Sequence, residues 1–161
     1  MPKLTTIGGQ EYQIGRLDVF KQLDIARRVM PIYQKLLPQA LSRMAEQYKL
    51  IPENADEEAA SDLRKRITAS VLDEYVTIAA SELSDDDFHF VVDLSLSVCE
   101  RIKPGGIAWG VVKPRGGVLQ FQDIAANDIL ALTFQAITEN LGSFFPSLAP
   151  SLTENQQTGA C

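Results

Sequence analysis

Short stretches of alternating apolar and polar residues are followed by long stretches of helical periodicity, and this order sets the expected fold. Leu4 to Ile7 is extended in character. Gly8-Gly9 can take the positive φ of a tight turn, and Tyr12 and Ile14 then alternate with Glu11 and Gln13. The pattern predicts a small N-terminal β-hairpin. From Asp18, a suitable N-cap, the residues Phe20, Leu23, Ala26, Met30, Tyr33 and Leu37 recur at helical spacing. Pro31 lies inside this run. Its missing N–H and bulky ring predict a kink or a division near Arg27-Arg28, and Pro38 a further bend. Leu41, Met44 and Tyr48 carry the stripe onward.

Residues 51–60 form an acidic break that reads as a solvated loop running into a helix start. The next helix is expected from about Asp56 to Leu83, with Leu63, Ile67, Val71, Tyr75 and Ile78 on one face. Ser84 then caps a helix whose third position, Asp87, completes a capping box and whose inward stripe runs from Phe88 to Ile102. Lys103-Pro104-Gly105-Gly106 stops it. Ile107–Val112 and Val118–Phe121 flank Lys113-Pro114-Arg115-Gly116-Gly117 as a second hairpin. A last helix covers about Ala125 to Leu141, with Gly142 at its C-terminal cap.

The expected fold is therefore mainly α with minor β: one helical bundle of four to five helices with two small β-hairpins. Residues 1–149 are read as a single domain and 150–161 as a flexible polar tail. The core is expected between the helices from Asp62 to Ile102 and the last helix, with the first helix packed across them.

Composition narrows the function classes. The chain has 161 residues, 45% hydrophobic and 22% charged, which suits one folded domain and excludes whole-chain disorder. Its formal charge of −6 and its dispersed basic residues argue against nucleic-acid binding. The start lacks the apolar stretch of a signal peptide, and no apolar run is long enough to span a bilayer. Two cysteines without metal-type spacing fit a reducing compartment.

Candidate chemistry is sparse. His89, the only histidine, has aspartates nearby but no marked nucleophile, and reads as a first-turn helix residue. Asp85-Asp86-Asp87 lacks the loop spacing of a calcium site and reads as a helix cap. Gly105-Gly106 and Gly116-Gly117 lack the Lys-Ser/Thr of a phosphate loop and read as turns. Cys99 sits on an apolar stripe and reads as structural. No catalytic, cofactor or metal residue is assigned. Residues suited to protein contact are Arg27, Arg28, Tyr33, Trp109, Phe144 and Phe145.

Several segments together resemble the bacteriophage tail assembly chaperones encoded just ahead of the tape-measure protein. They are "IGGQEYQIGRLDVFKQLDIARRVMPI", carrying Gly8, Gly9, Phe20, Ala26, Arg27 and Arg28, then "LSDDDFHFVVDLSLSVCERI", and "ITENLGSFFPSL" from Ile137 to Leu148. The resemblance spans most of residues 4–148; the acidic stretch at Asp56-Glu57-Glu58 and the tail after Pro150 depart from it. It implies a non-enzymatic helical holdase of the host cell cytoplasm, without cofactors, that keeps the tape-measure protein soluble, helps recruit the major tail tube protein and is absent from the mature virion. It also implies that a longer frameshifted form accompanies the shorter one in many relatives. Self-association would cover an empty client groove. Two other readings are a structural virion component, such as a tail-completion or connector protein, and a small enzyme built around His89.

Overall fold

A computed structural model describes residues 2–142. The elements in chain order are β1 (Lys3–Ile7), β2 (Gln10–Ile14), α1 (Val19–Tyr48), α2 (Glu57–Glu82), α3 (Asp85–Leu96), β3 (Cys99–Ile102), β4 (Trp109–Val111) and α4 (Ala126–Leu141). The protein is mainly helical with a minor sheet, as its periodicity predicts. Two compact units are distinguished: residues 1–27 with 89–161, and residues 28–88.

The first unit holds the sheet. Its four strands are all antiparallel, in the order β1-β2-β3-β4. β1 and β2 form the expected hairpin. Ile7 pairs with Gln10, so Gly8 and Gly9 are the two turn residues, at φ 57° and 77°. Two successive positive φ values are what a hairpin turn compatible with strand twist requires. Gly8 is doubly constrained, because a Cβ there would run into the Asp128 carboxylate.

β3 lies beside β2 with Ile14 opposite Cys99 and Tyr12 opposite Arg101. Here the sequence reading needs correction, since the helix expected to reach Ile102 ends at Leu96. Ser97 Oγ donates to the Leu94 carbonyl at 2.6 Å, and Gly15 N–H reaches the Val98 carbonyl at 2.7 Å. The ladder offered by β2 thus overrides a stripe that also fits helical spacing. The second hairpin is displaced with it: β3 pairs with β4, Ile102 opposite Trp109, and the turn spans Lys103–Ala108. Residues 118–121 form no strand; Gln120 N–H bonds the Val112 carbonyl at 2.9 Å and Phe121 turns inward.

The core of this unit contains Tyr12, Ile14, Leu96, Cys99, Val112, Phe121, Leu132 and Ala136. It is sheet against α4, with the end of α3 attached. Within this unit α4 packs against β1 and β2. Asn140 fixes the last turn of α4: its Oδ1 accepts from Leu17 N–H at 2.7 Å, and its Nδ2 donates to the Gly15 carbonyl at 3.1 Å.

α1 is continuous from Val19 to Tyr48 with Pro31 and Pro38 inside it, so of the kink or division expected near Arg27-Arg28 the division does not occur. The prolines are seven residues apart, two helical turns, and both are exposed. Each removes one hydrogen bond, to the carbonyls of Arg27 and Gln34, and both of those residues are exposed so that water can replace it. The boundary between the compact units falls at Arg27–Arg28, in the turn that Pro31 leaves one bond short.

Candidate protein-docking surfaces

Residues 28–88 build an antiparallel helical hairpin from the greater part of α1 and α2. Asp56 caps α2 by accepting from Ala59 N–H at 2.7 Å. Two side-chain pairs tie α1 to α2 at successive levels, and a third ties α1 to the first turn of α3. Tyr48 meets Thr68 at 2.5 Å near the connecting loop, Lys35 meets Glu82 at 3.0 Å, and Arg28 meets Asp87 at 2.9 Å. As one helix advances the other recedes, so the ties fix a single register. Asp87 serves twice: its N–H donates to Ser84 Oγ at 3.2 Å, the expected cap, while its carboxylate turns to Arg28.

The apolar content of this hairpin is only thinly buried. Leu36, Ala40, Ala60 and Val71 are its fully buried hydrophobic residues, and two of them are alanines. Leu63, Ile67, Leu72, Tyr75, Val76 and Ile78 along α2 remain half-buried. Exposed ion pairs such as Lys35–Glu82 contribute about 0–1 kcal/mol each, too little to replace a core. A shallow groove beside Pro38 is lined by Gln39, Ser42, Arg43, Glu46 and Tyr75. A half-covered apolar stripe next to such a groove suits a further amphipathic helix.

A second surface lies at the start of α1, in the other unit. Asp18 Oδ1 accepts from Lys21 N–H at 3.0 Å and its carboxylate pairs with Lys21 Nζ at 2.9 Å; these bonds hold its pKa below the usual carboxylate range. The face turned inward carries Gln22, Ile25 and Ala26. Gln22 can occupy it because its amide donates to the Leu17 carbonyl at 2.8 Å. Phe20 and Leu23, expected inside, are therefore outside, 80% and 45% exposed, with Val19 beside them at 62%. The signal was present in the sequence: Val19, Phe20, Leu23, Ile25 and Ala26 spread too far around the helix for one buried stripe.

No arrangement among the described residues is poised for nucleophilic chemistry at Cys99. It is fully buried, burial pushes its thiol up to about 12, and Sγ donates to the Ser95 carbonyl at 3.3 Å. His89 is exposed on α3. Asp85 and Asp86 lie in the first turn of α3, where carboxylates meet the positive end of the helix dipole. The Gly105-Gly106 pair sits in the β3–β4 turn with positive φ at both residues.

The proposed contact residues divide between the units. Arg27 is exposed and Trp109 half-buried in the first; Arg28 and Tyr33 are half-buried on α1 in the second. Phe144 and Phe145, like the tail of residues 150–161, lie outside the described residues. Arg101 on β3, which the sequence reading did not single out, holds a cluster of side chains beside the sheet. It forms a two-pronged pair with Asp123 at 3.1 and 2.9 Å and lies over the Phe121 ring at 5.0 Å. The pairing raises the Arg101 pKa and lowers that of Asp123, while burial raises that of the neighbouring Tyr12 hydroxyl.

No helix among the described residues is long and apolar enough to cross a membrane, and no group of three or more His, Cys, Asp or Glu side chains among them is placed to hold a metal ion. Comparison with curated proteins and with solved structures finds no match. The profile of one family, described as phage tail assembly chaperone protein, matches residues 8–153, a span that takes in β2 to β4, the four described helices and both apolar surfaces. On that match, which runs nearly the length of the sequence, the chain belongs to the phage tail assembly chaperone family.

Proposed function

We propose that this chaperone binds the tape-measure protein, keeps it from aggregating, and helps bring major tail tube protein subunits to it during tail assembly. The thin core of the helical hairpin carries the reading. A stripe of half-buried apolar residues on α2, with Val71 and Ala60 alone fully covered along that helix, supports docking of an amphipathic client helix. A long client with repeated apolar segments engages many copies at once, so each contact can be weak enough to release when tube subunits arrive. The negative net charge of the chain supports solubility of the coated complex.

Arg27, Arg28, Tyr33, Trp109, Phe144 and Phe145 are the contact residues in this reading. The protein acts by binding rather than by catalysis, in the host cytoplasm, and leaves before the virion matures. Self-association covers the apolar stripe when no client is present.

The test is co-expression with the tape-measure protein encoded alongside. A soluble complex that co-elutes on a sizing column is expected, together with absence of this chain from purified particles by mass spectrometry. A client that stays in the pellet, with no complex on the column, overturns the reading. Finding the chain in finished particles supports a structural virion component instead.

A further inference from the structure

We infer that β1 pairs edge to edge with β1 of a second copy of this chain, joining the two sheets into one. β1 stands at the end of the strand order, so among the described residues only β2 pairs with it. The phase of the ladder tells which backbone groups are left over. A two-residue turn closes on a hydrogen-bonded pair, here Ile7 with Gln10, and alternation then assigns Thr5–Tyr12 and Lys3–Ile14 to the same class. The far side of β2 agrees, since Gly15 N–H turns away from β1 to the Val98 carbonyl. The N–H and C=O groups of Leu4 and Thr6 therefore point out along the free edge, a row that an extended strand satisfies and a helix does not.

The edge carries none of the usual guards against pairing. β1 runs through Lys3–Ile7 in regular register, with neither a bulge nor an internal proline. Its one charged side chain, Lys3, leans over α4 to Glu139 at 2.6 Å. Leu4, which alternation puts on the opposite face, is 57% exposed. Charge complementarity selects a second copy as the occupant. Antiparallel pairing about a two-fold axis through Thr5, perpendicular to the sheet, sets Leu4 opposite Thr6 of the second copy and Lys3 opposite its Ile7, so no like charges face each other. Such an axis leaves α4 of both copies on the same face. Just past Ile7, the Asp128 carboxylate fills the space that a Cβ on Gly8 would take. Lys3 of each copy thus arrives beside Asp128 of the other while still next to its own Glu139, between two carboxylates. Every residue of this contact belongs to the unit of residues 1–27 and 89–161, whereas the α2 stripe belongs to the other.

This pairing goes beyond the client-binding reading and is tested without a client, so failure of either leaves the other standing. The full chain should sediment as a dimer, and the amides of Leu4 and Thr6 should exchange slowly when concentrated and faster on dilution. Leu4→Lys/Thr6→Lys sets like charges opposite each other on both sides of the axis and should weaken the dimer about ten-fold or more. Both side chains are exposed, so the circular dichroism spectrum should be unchanged. Leu4→Lys/Thr6→Glu places opposite charges at the same two contacts and should restore the dimer, a rescue that only this register provides. A chain that stays monomeric overturns the inference. So does a dimer indifferent to Leu4→Lys/Thr6→Lys, which assigns association to another surface, and so does a Leu4→Lys/Thr6→Glu variant no tighter than Leu4→Lys/Thr6→Lys. Slow exchange of the two amides that persists on dilution assigns the edge to a segment of the same chain and also overturns it.

Discussion

The buried carboxamide of Asn140 accepts a hydrogen bond from the backbone N–H of Leu17 at 2.7 Å across 123 residues of sequence. The same side chain donates to the carbonyls of Gly15 and Ala136. A single residue thereby joins the end of α4 to the backbone between β2 and α1. Asn140→Ala leaves the buried Leu17 N–H without its acceptor, and such an orphaned group costs about 1–3 kcal/mol. Urea denaturation should show a loss of that size. A variant as stable as the parent would mean that water replaces the amide.

The acid limb of stability should carry the signature of Asp123. Hydrogen bonds from Arg101 hold its pKa below the ordinary value of 3.8. A carboxyl whose folded pKa is depressed adds stability that is fully present above its unfolded pKa and is lost as pH falls through the lower folded value. Melting temperature measured against pH should therefore drop less steeply below about pH 4 in Asp123→Asn than in the parent. Parallel curves would show that the pair contributes nothing to the acid dependence.

Cys99 should resist alkylation in the folded protein. Its thiol is fully buried and burial pushes its pKa up to about 12, so the thiolate is scarce at neutral pH. Iodoacetamide followed by peptide mass mapping should find Cys99 unmodified in native buffer and modified in denaturant. Rapid native labelling would show that the sheet opens around β3.

The two units should differ in local stability. Leu132 is wholly buried between α4 and the sheet, and Leu132→Ala should cost about 2–5 kcal/mol. In hydrogen exchange, the amides of α2 should lose protection well before those of α4, since α2 has only Ala60 and Val71 fully covered whereas α4 buries Leu132, Thr133, Ala136, Asn140 and Leu141. Client binding should slow exchange in α2. Equal protection of the two helices in the free protein would contradict the thin core assigned to the hairpin.

Local chemistry was legible wherever a residue acts on its immediate neighbours. The Gly8-Gly9 turn, the caps at Asp18 and Ser84, and the helices α2 and α4 all follow from contacts a few residues apart, and each stands within a residue or two of where the pattern puts it. The family, too, could be read from the order of its segments. What periodicity could not supply was pairing. Cys99 and Ile102 fit a helical stripe as well as a strand, and only the free edge of β2, some ninety residues earlier in the chain, makes the strand the better state. The same holds for Phe20 and Leu23. An apolar stripe says that a helix has a face to bury, but which face is buried depends on what stands against it, and here the Leu17 carbonyl that receives Gln22 turns the helix the other way.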